Sequence, residues 1–192
     1  MELLGPELRA GYPLAVVAVV EEAAAFLDRV PTLVTGVGKV RAATATAWVC
    51  GRVSPGVLLN VGTAGALRPG VPVDQVLEVG TVIQHDLDGA FIARLIGVDP
   101  GPPLVLTDGP HVLATGDRFV SSVAERDELA RHADLVDMEG YAVASAARQL
   151  GVPVRLAKVV SDDASDGAAL SWTAALTRAS ELLRGWLDDL DA

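Results

Sequence analysis

The chain has 192 residues, of which 51% are hydrophobic and only 4% aromatic, so one domain spanning residues 1–192 must fill its core with small aliphatic side chains. The formal charge is −10, from 25 acids against 15 bases with Lys39 and Lys158 the two lysines; no basic cluster follows a phosphate backbone, and nucleic acid is not an expected partner. Cys50 is the one cysteine, apolar runs fall well short of a ~20-residue membrane span, and Met1 to Pro13 shows no basic region followed by an apolar stretch. No disulfide, membrane partner or signal peptide is therefore expected, and the expected location is the cytoplasm.

In chain order, Leu14–Val20 (LAVVAVV) reads as a strand and Glu22–Arg29 as a helix. Thr32–Thr35 is a short strand before a helix over Lys39–Arg52. Val57–Val61 and Val76–Gln84 are further strands, and Gly89–Pro110, with its GVDPGPP, predicts a surface excursion. Strands over Leu104–Thr107 and Val112–Thr115 precede a helix at Ser122–His132, and a strand at Leu135–Met138 precedes a helix at Glu139–Leu150. Gly151-Val152-Pro153 ends that helix, Val154–Val160 is the last strand, and Ala168–Leu190 the last helix. Valine-rich runs without alternation suit strands covered on both faces, and their alternation with helices predicts a layered α/β domain.

Acids recur where strand-like runs end: Glu21 and Glu22, Asp137 and Glu139, Asp162 and Asp163. Ligands of α/β sheets bind at the carboxyl ends of strands, so three runs could present acids to one cleft; helix-start acids are the competing explanation. Gly36-Val37-Gly38-Lys39 lies between a strand and a helix, but Arg41 stands where a dinucleotide fingerprint needs a small residue, so the glycines read as a tight turn near a ligand or partner backbone. Asn60 to Leu67 (NVGTAGAL) allows close backbone approach to a ligand, or an ordinary turn. His85, His111 and His132 share no metal-ligand spacing, so no metal or cofactor is expected, and Trp172 and Trp186 read as packing residues of the last helix.

Six segments, in order, resemble the nucleoside phosphorylase/nucleosidase superfamily, with the greatest likeness to 5′-methylthioadenosine/S-adenosylhomocysteine nucleosidases. AVVEEAAAFL is similar to their first strand and its glutamate, GVGKVRAA to GIGKVNAA, and LLNVGTAGAL to INTGSAGGL. TGDRFV is similar to SGDAFI, VDMEGYAVA to VEMEATAIA, and KVVSDDAS to RAISDVAD. The resemblance implies a three-layer αβα sandwich around a twisted mixed sheet, a homodimer, and a purine nucleoside as substrate. It implies that Asp162 protonates purine N7, Glu22 activates water, and Glu139 holds the ribose hydroxyls with Met138 on the sugar. It further implies that Phe119 stacks on the base, Val120 reads its edge through the backbone, Thr63, Ala64 and Gly65 line the pocket, and Ser161 orients Asp162.

Related phosphorylases carry Arg at the Asn60 position and another Arg after the first strand; no Arg lies between Val16 and Asp28 here, which favours water over phosphate, although Arg41 and Arg68 are near in sequence. Against those nucleosidases, Lys158, Asp137 and Thr63 replace the usual Arg, Glu and Ser, and the shortened stretch from His85 to Pro110 lacks the aromatic-rich segment that in them covers the 5′ substituent from the neighbouring subunit. Futalosine hydrolase, a phosphate-dependent phosphorylase and a non-catalytic nucleoside-binding protein are the alternatives.

Overall fold

Buried strands place successive side chains on opposite faces, and here that alternation sorts the core. The computed structural model describes residues 1–190. Its strands are Glu2–Leu4 (β1), Pro13–Val17 (β2), Thr32–Val34 (β3), Val57–Ala66 (β4), Val76–Gln84 (β5), Leu104–Val105 (β6), His111–Thr115 (β7), Leu135–Asp137 (β8) and Val154–Asp162 (β9). Its helices are Lys39–Cys50 (α1), Gly89–Ile96 (α2), Val123–Leu129 (α3), Gly140–Leu150 (α4) and Ala168–Leu190 (α5), with a 3-10 turn at Val20–Ala23. On β2, Leu14 and Val16 pack with Ala42, Val49 and Val143 of α1 and α4. Ala15 and Val17 face Ala179, Leu183 and Leu187 of α5. Helices thus cover both faces of a mixed sheet.

The sheet closes on part of itself. Strand β2 lies parallel to β3 and β4. Beyond it β4 pairs with β9 (parallel) and β8 (antiparallel). Strand β9 pairs with β5, β5 with β7, and β7 with β8, completing a ring of five strands. Leu77, Val79, Leu113, Leu135, Leu156 and Val160 fill it.

Three expectations need correction. The alanine-rich stretch after Glu22 does not form a helix over Glu22–Arg29. The Glu22 carboxylate takes the N–H groups of Ala18 and Val19, while Ala25 donates to Ser180 Oγ and accepts from Arg184, which holds the backbone in turns. Residues Gly62–Ala66 are not a turn but the continuation of β4, because strands flank it on both sides. The Gly- and Pro-rich stretch contains α2, started by the Asp88 side chain accepting from Phe91 N–H and stopped by Gly97 in the left-handed region.

Gly80 marks the bulge where β5 shifts register on β7, and a Cβ there would stand 1.9 Å from the Gly109 carbonyl oxygen. Gly80→Ala is expected to lower unfolding free energy by about 1–3 kcal/mol. Gly185→Ala, in α5 with open space around it, is expected to raise it by about 0.5–1 kcal/mol. Urea titration of both variants checks the contrast; equal shifts would contradict the placement of β5.

Candidate active site

Where β4, β8 and β9 end, one cavity of about 260 Å³ opens. All ten residues singled out from sequence line it: Glu22, Thr63, Ala64, Gly65, Phe119, Val120, Met138, Glu139, Ser161 and Asp162. Ala18, Val37, Arg118, Val136, Asp137 and Trp172 complete the wall.

Glu22 is 4% exposed and receives four hydrogen bonds. Oε1 accepts from Thr63 N–H at 2.8 Å and from the Thr63 hydroxyl at 2.9 Å. Oε2 accepts from Ala18 N–H at 3.0 Å and Val19 N–H at 3.4 Å. Glycine opposite it leaves the carboxylate its place, because a Cβ on Gly62 would lie 2.7 Å from Oε1 and push it away from its donors.

Asp162 closes β9, the only one of the three principal acids carried by a regular strand. Burial pushes its carboxyl up, opposed by hydrogen bonds from the Ser161 hydroxyl and Ala164 N–H. Ser161 Oγ donates to Oδ2 at 2.8 Å and Ala164 N–H to Oδ1 at 2.9 Å. A Cβ on Gly65 would stand 3.0 Å from Oδ1. Thus β4 carries a glycine against each of these two carboxylates.

Glu139 precedes α4 and receives the Gly38 N–H at 2.7 Å on Oε1. This is the role found for the glycine-rich turn before α1: Gly38, at φ +100°, presents its N–H to a carboxylate of the cavity. Lys39 N–H likewise donates to Asp117 Oδ1 at 2.7 Å, so two acids from elsewhere in the fold satisfy the start of α1. Burial first, and then the neighbouring Asp137 charge, push Glu139 up to about 8.

Behind Glu139 lies a polar plug in the mouth of the strand ring. Lys158 is 2% exposed and its Nζ meets Asp137 Oδ2 at 3.0 Å. Asp137 also accepts from Thr115 Oγ1 at 2.6 Å and Gly140 N–H at 2.9 Å. Desolvation pulls the ammonium down, but Asp137, Glu22 and Glu139 outweigh it and the net shift is upward. The two replacements noted separately in the sequence are therefore partners in space.

Trp172 does more than pack in α5: its indole N–H donates to Thr63 Oγ1 at 2.8 Å, and its ring stands edge-on to Phe119 with centroids 6.5 Å apart. Helical spacing gave no sign of which face of α5 meets the site. Arg118, on the rim, pairs with Glu125. Neither Arg41 nor Arg68 lines the cavity; Arg68 is turned to Asp134 and the Ala130 carbonyl. Among the described residues no cluster of three or more His, Cys, Asp or Glu is disposed to hold a metal ion, and no helix is long and apolar enough to cross a membrane.

A family profile described as the phosphorylase superfamily matches residues 27–107 and 110–190. The chain belongs to the phosphorylase superfamily. The matched stretches include Thr63, Glu139 and Asp162 and begin just past Glu22. Within the superfamily the chain is 30% identical, over 168 residues, to the 5′-methylthioadenosine/S-adenosylhomocysteine nucleosidase of Staphylococcus aureus strain JH9, covering 76% of this chain and 74% of that one. Futalosine hydrolase of Helicobacter pylori strain 26695 shares the fold with a TM-score of 0.81 at 20% identity, covering 94% of this chain and 98% of that one. The nucleosidase of Streptococcus pneumoniae bound to 8-aminoadenine gives a TM-score of 0.78 at 24% identity, covering 88% and 94%.

Lys158→Met would leave Asp137 buried without its counterion and is expected to cost about 3–5 kcal/mol of stability. The double change Lys158→Met with Asp137→Leu should recover part of that loss in urea unfolding; no recovery would deny the pairing. Glu139 gives a pH dependence. Below its ordinary value of 4.5 it is protonated folded or unfolded; as pH climbs toward about 8 the unfolded chain releases the proton while the folded one keeps it. Folding is then progressively disfavoured over that window and levels off above it. Glu139→Gln should remove this downward slope, and parallel stability–pH curves for variant and wild type would contradict the raised value.

Proposed function

We propose that the chain is a purine nucleosidase, hydrolysing the N-glycosidic bond of a 5′-substituted purine nucleoside of the 5′-methylthioadenosine/S-adenosylhomocysteine type to free base and sugar. The observation that carries this reading is one cavity in which Glu22, Glu139 and Asp162 converge, in a chain whose curated relative bears that nucleosidase name.

The chemistry needs an acid and a base. A purine leaves poorly as an anion, and Asp162, held protonated more readily by burial, supplies a proton to N7 as the bond to the sugar breaks. Glu22 takes a proton from the attacking water, and its charge steadies the oxocarbenium-like sugar. Glu139 takes the ribose hydroxyls, with Met138 against the sugar. Phe119 stacks on the base while the Val120 backbone meets its edge, and Thr63, Ala64 and Gly65 form the facing wall. Ser161 orients Asp162 through the 2.8 Å hydrogen bond.

Water rather than phosphate as the second substrate is supported by the lining. Among the described residues Arg118 is the one cationic side chain in it, and Glu125 already engages that guanidinium. Asn60 is buried in β4 and donates to the Val16 carbonyl at 3.0 Å, outside the cavity wall. A phosphate dianion lacks a bidentate clamp. The second reading, futalosine hydrolase, draws on the short stretch from His85 to Pro110.

The three-layer αβα description of the fold is supported by α1 and α4 on one face of β2 and α5 on the other. A homodimer and a cytoplasmic location complete the proposal. The dimer draws support from α2, none of whose residues is buried. Phe91, Leu95, Ile96 and the following Val98 are 49–68% exposed, an apolar surface suited to covering a second copy's site.

Incubation with 5′-methylthioadenosine, S-adenosylhomocysteine and futalosine, with and without phosphate, should release free base and reducing sugar at the same rate in both buffers; a sugar 1-phosphate as main product would overturn the hydrolase assignment. Glu22→Gln should lower turnover by a factor on the order of 10²–10⁴ with analogue binding retained. Asp162→Asn should lose most turnover on purine nucleosides and much less on a p-nitrophenyl riboside, whose leaving group needs no proton. Equal losses on both would refute Asp162 as the acid. Leu95→Glu should produce monomers in sedimentation velocity; an unchanged sedimentation coefficient would deny the α2 interface.

A further inference from the structure

The hydrogen bonds around Thr63 have a fixed direction. An indole N–H can only donate, so at 2.8 Å from Trp172 Nε1 the Thr63 Oγ1 is an acceptor. A hydroxyl has one hydrogen, and among the described residues the other hydrogen-bond partner of Oγ1 is Glu22 Oε1 at 2.9 Å. That hydrogen therefore points at Glu22. Without the indole the hydroxyl would be free to rotate toward solvent or ligand in the cavity.

The consequence falls unequally on the two oxygens of Glu22. Oε1 holds two short bonds, both from Thr63, at 2.8 and 2.9 Å. Oε2 holds one good bond, from Ala18 N–H at 3.0 Å, and a long one from Val19 N–H at 3.4 Å. Oε2 is the oxygen with acceptor capacity to spare.

We infer that Trp172 is a positioning residue: acting through the Thr63 hydroxyl, its indole N–H saturates Oε1 of Glu22 and leaves Oε2 to take the proton of the attacking water. The inference rests on Glu22 being the base, as proposed above. In that step a water O–H bond breaks and its proton moves to Oε2. The water oxygen bonds to the anomeric carbon as the carbon–nitrogen bond breaks, and the departing electron pair goes to the purine, which receives its proton from Asp162. The sequence put Trp172 in a helix core; its place in the cavity wall gives it this second task.

The test compares Trp172→Phe, Thr63→Val, the double variant and Thr63→Ser. Trp172→Phe keeps an aromatic ring beside Phe119 and removes the N–H together with part of the indole, so kcat should fall about three- to tenfold, the worth of one neutral hydrogen bond, with KM within about twofold. The double variant should be no slower than Thr63→Val alone, because the indole acts only through the hydroxyl. Thr63→Ser, which keeps the hydroxyl, should restore most of kcat. Additive losses, a change confined to KM, or an unaltered kcat in Trp172→Phe would overturn the inference. The indole N–H resonance of Trp172, identified by its absence in Trp172→Phe, supplies a reading independent of catalysis: it should move upfield in Thr63→Val and hold in Thr63→Ser. An unmoved resonance in Thr63→Val denies the hydrogen bond itself. A moved resonance together with full turnover in Glu22→Gln denies the base assignment instead.

Discussion

The site depends on one buried cation. Lys158 points into the ring formed by β4, β9, β5, β7 and β8, where almost everything else is aliphatic, and meets Asp137 at 3.0 Å. Three carboxylates, Asp137, Glu139 and Glu22, act on its ammonium. Taking that many acids out of water without a counter-charge would cost more than their hydrogen bonds return. Asp137 also receives the first N–H of α4, at Gly140, so the pair fixes the corner on which Met138 and Glu139 sit. The ion pair is thus a condition for this arrangement more than a source of net stability, since buried pairs roughly cancel their own desolvation.

Around that pair, two elements do most of the placing. Strand β4 runs between β8 and β9 and offers glycine wherever a carboxylate comes closest, Gly62 to Glu22 and Gly65 to Asp162. Helix α5 grips the segment that carries Glu22: Ser180 and Arg184 bind the backbone of Ala25, and Asp188 takes Arg29 at 2.6 Å. The same helix brings Trp172 to Thr63. Asp162, Glu22 and the groups that hydrogen-bond them are held by β9, β4, α5 and the short 3-10 turn rather than by long surface loops.

The strands of the core were legible because valine-rich runs covered on both faces leave a direct mark in the sequence, and the acids at their ends were legible for the same reason. Glu22 was placed near the right point for the wrong local cause: a 3-10 turn held by its own side chain carries it, not the start of a helix. The sequence of Gly62–Ala66 left close approach to a ligand and an ordinary turn both open, because small residues serve turns and crowded strands alike. Helix α2 was hidden by the glycines and prolines around it. Trp172, and the meeting of Lys158 with Asp137, could not be read at all, because no periodicity records which side chains converge across a closed sheet.

That closure has a bearing on how the protein is made. Strand β4 is complete at residue 66, but its parallel partner β9 begins only at Val154. A chain emerging from the ribosome must hold β4 with one flank open until residues 67–153 have been made. Loop closure over such a distance is slow, and an unpaired strand invites wrong partners. The far half of β4 is Gly-Thr-Ala-Gly-Ala, a stretch with little side-chain surface to offer one. The residues that make room for two carboxylates in the folded protein also leave β4 little side-chain surface for a wrong partner before β9 is made.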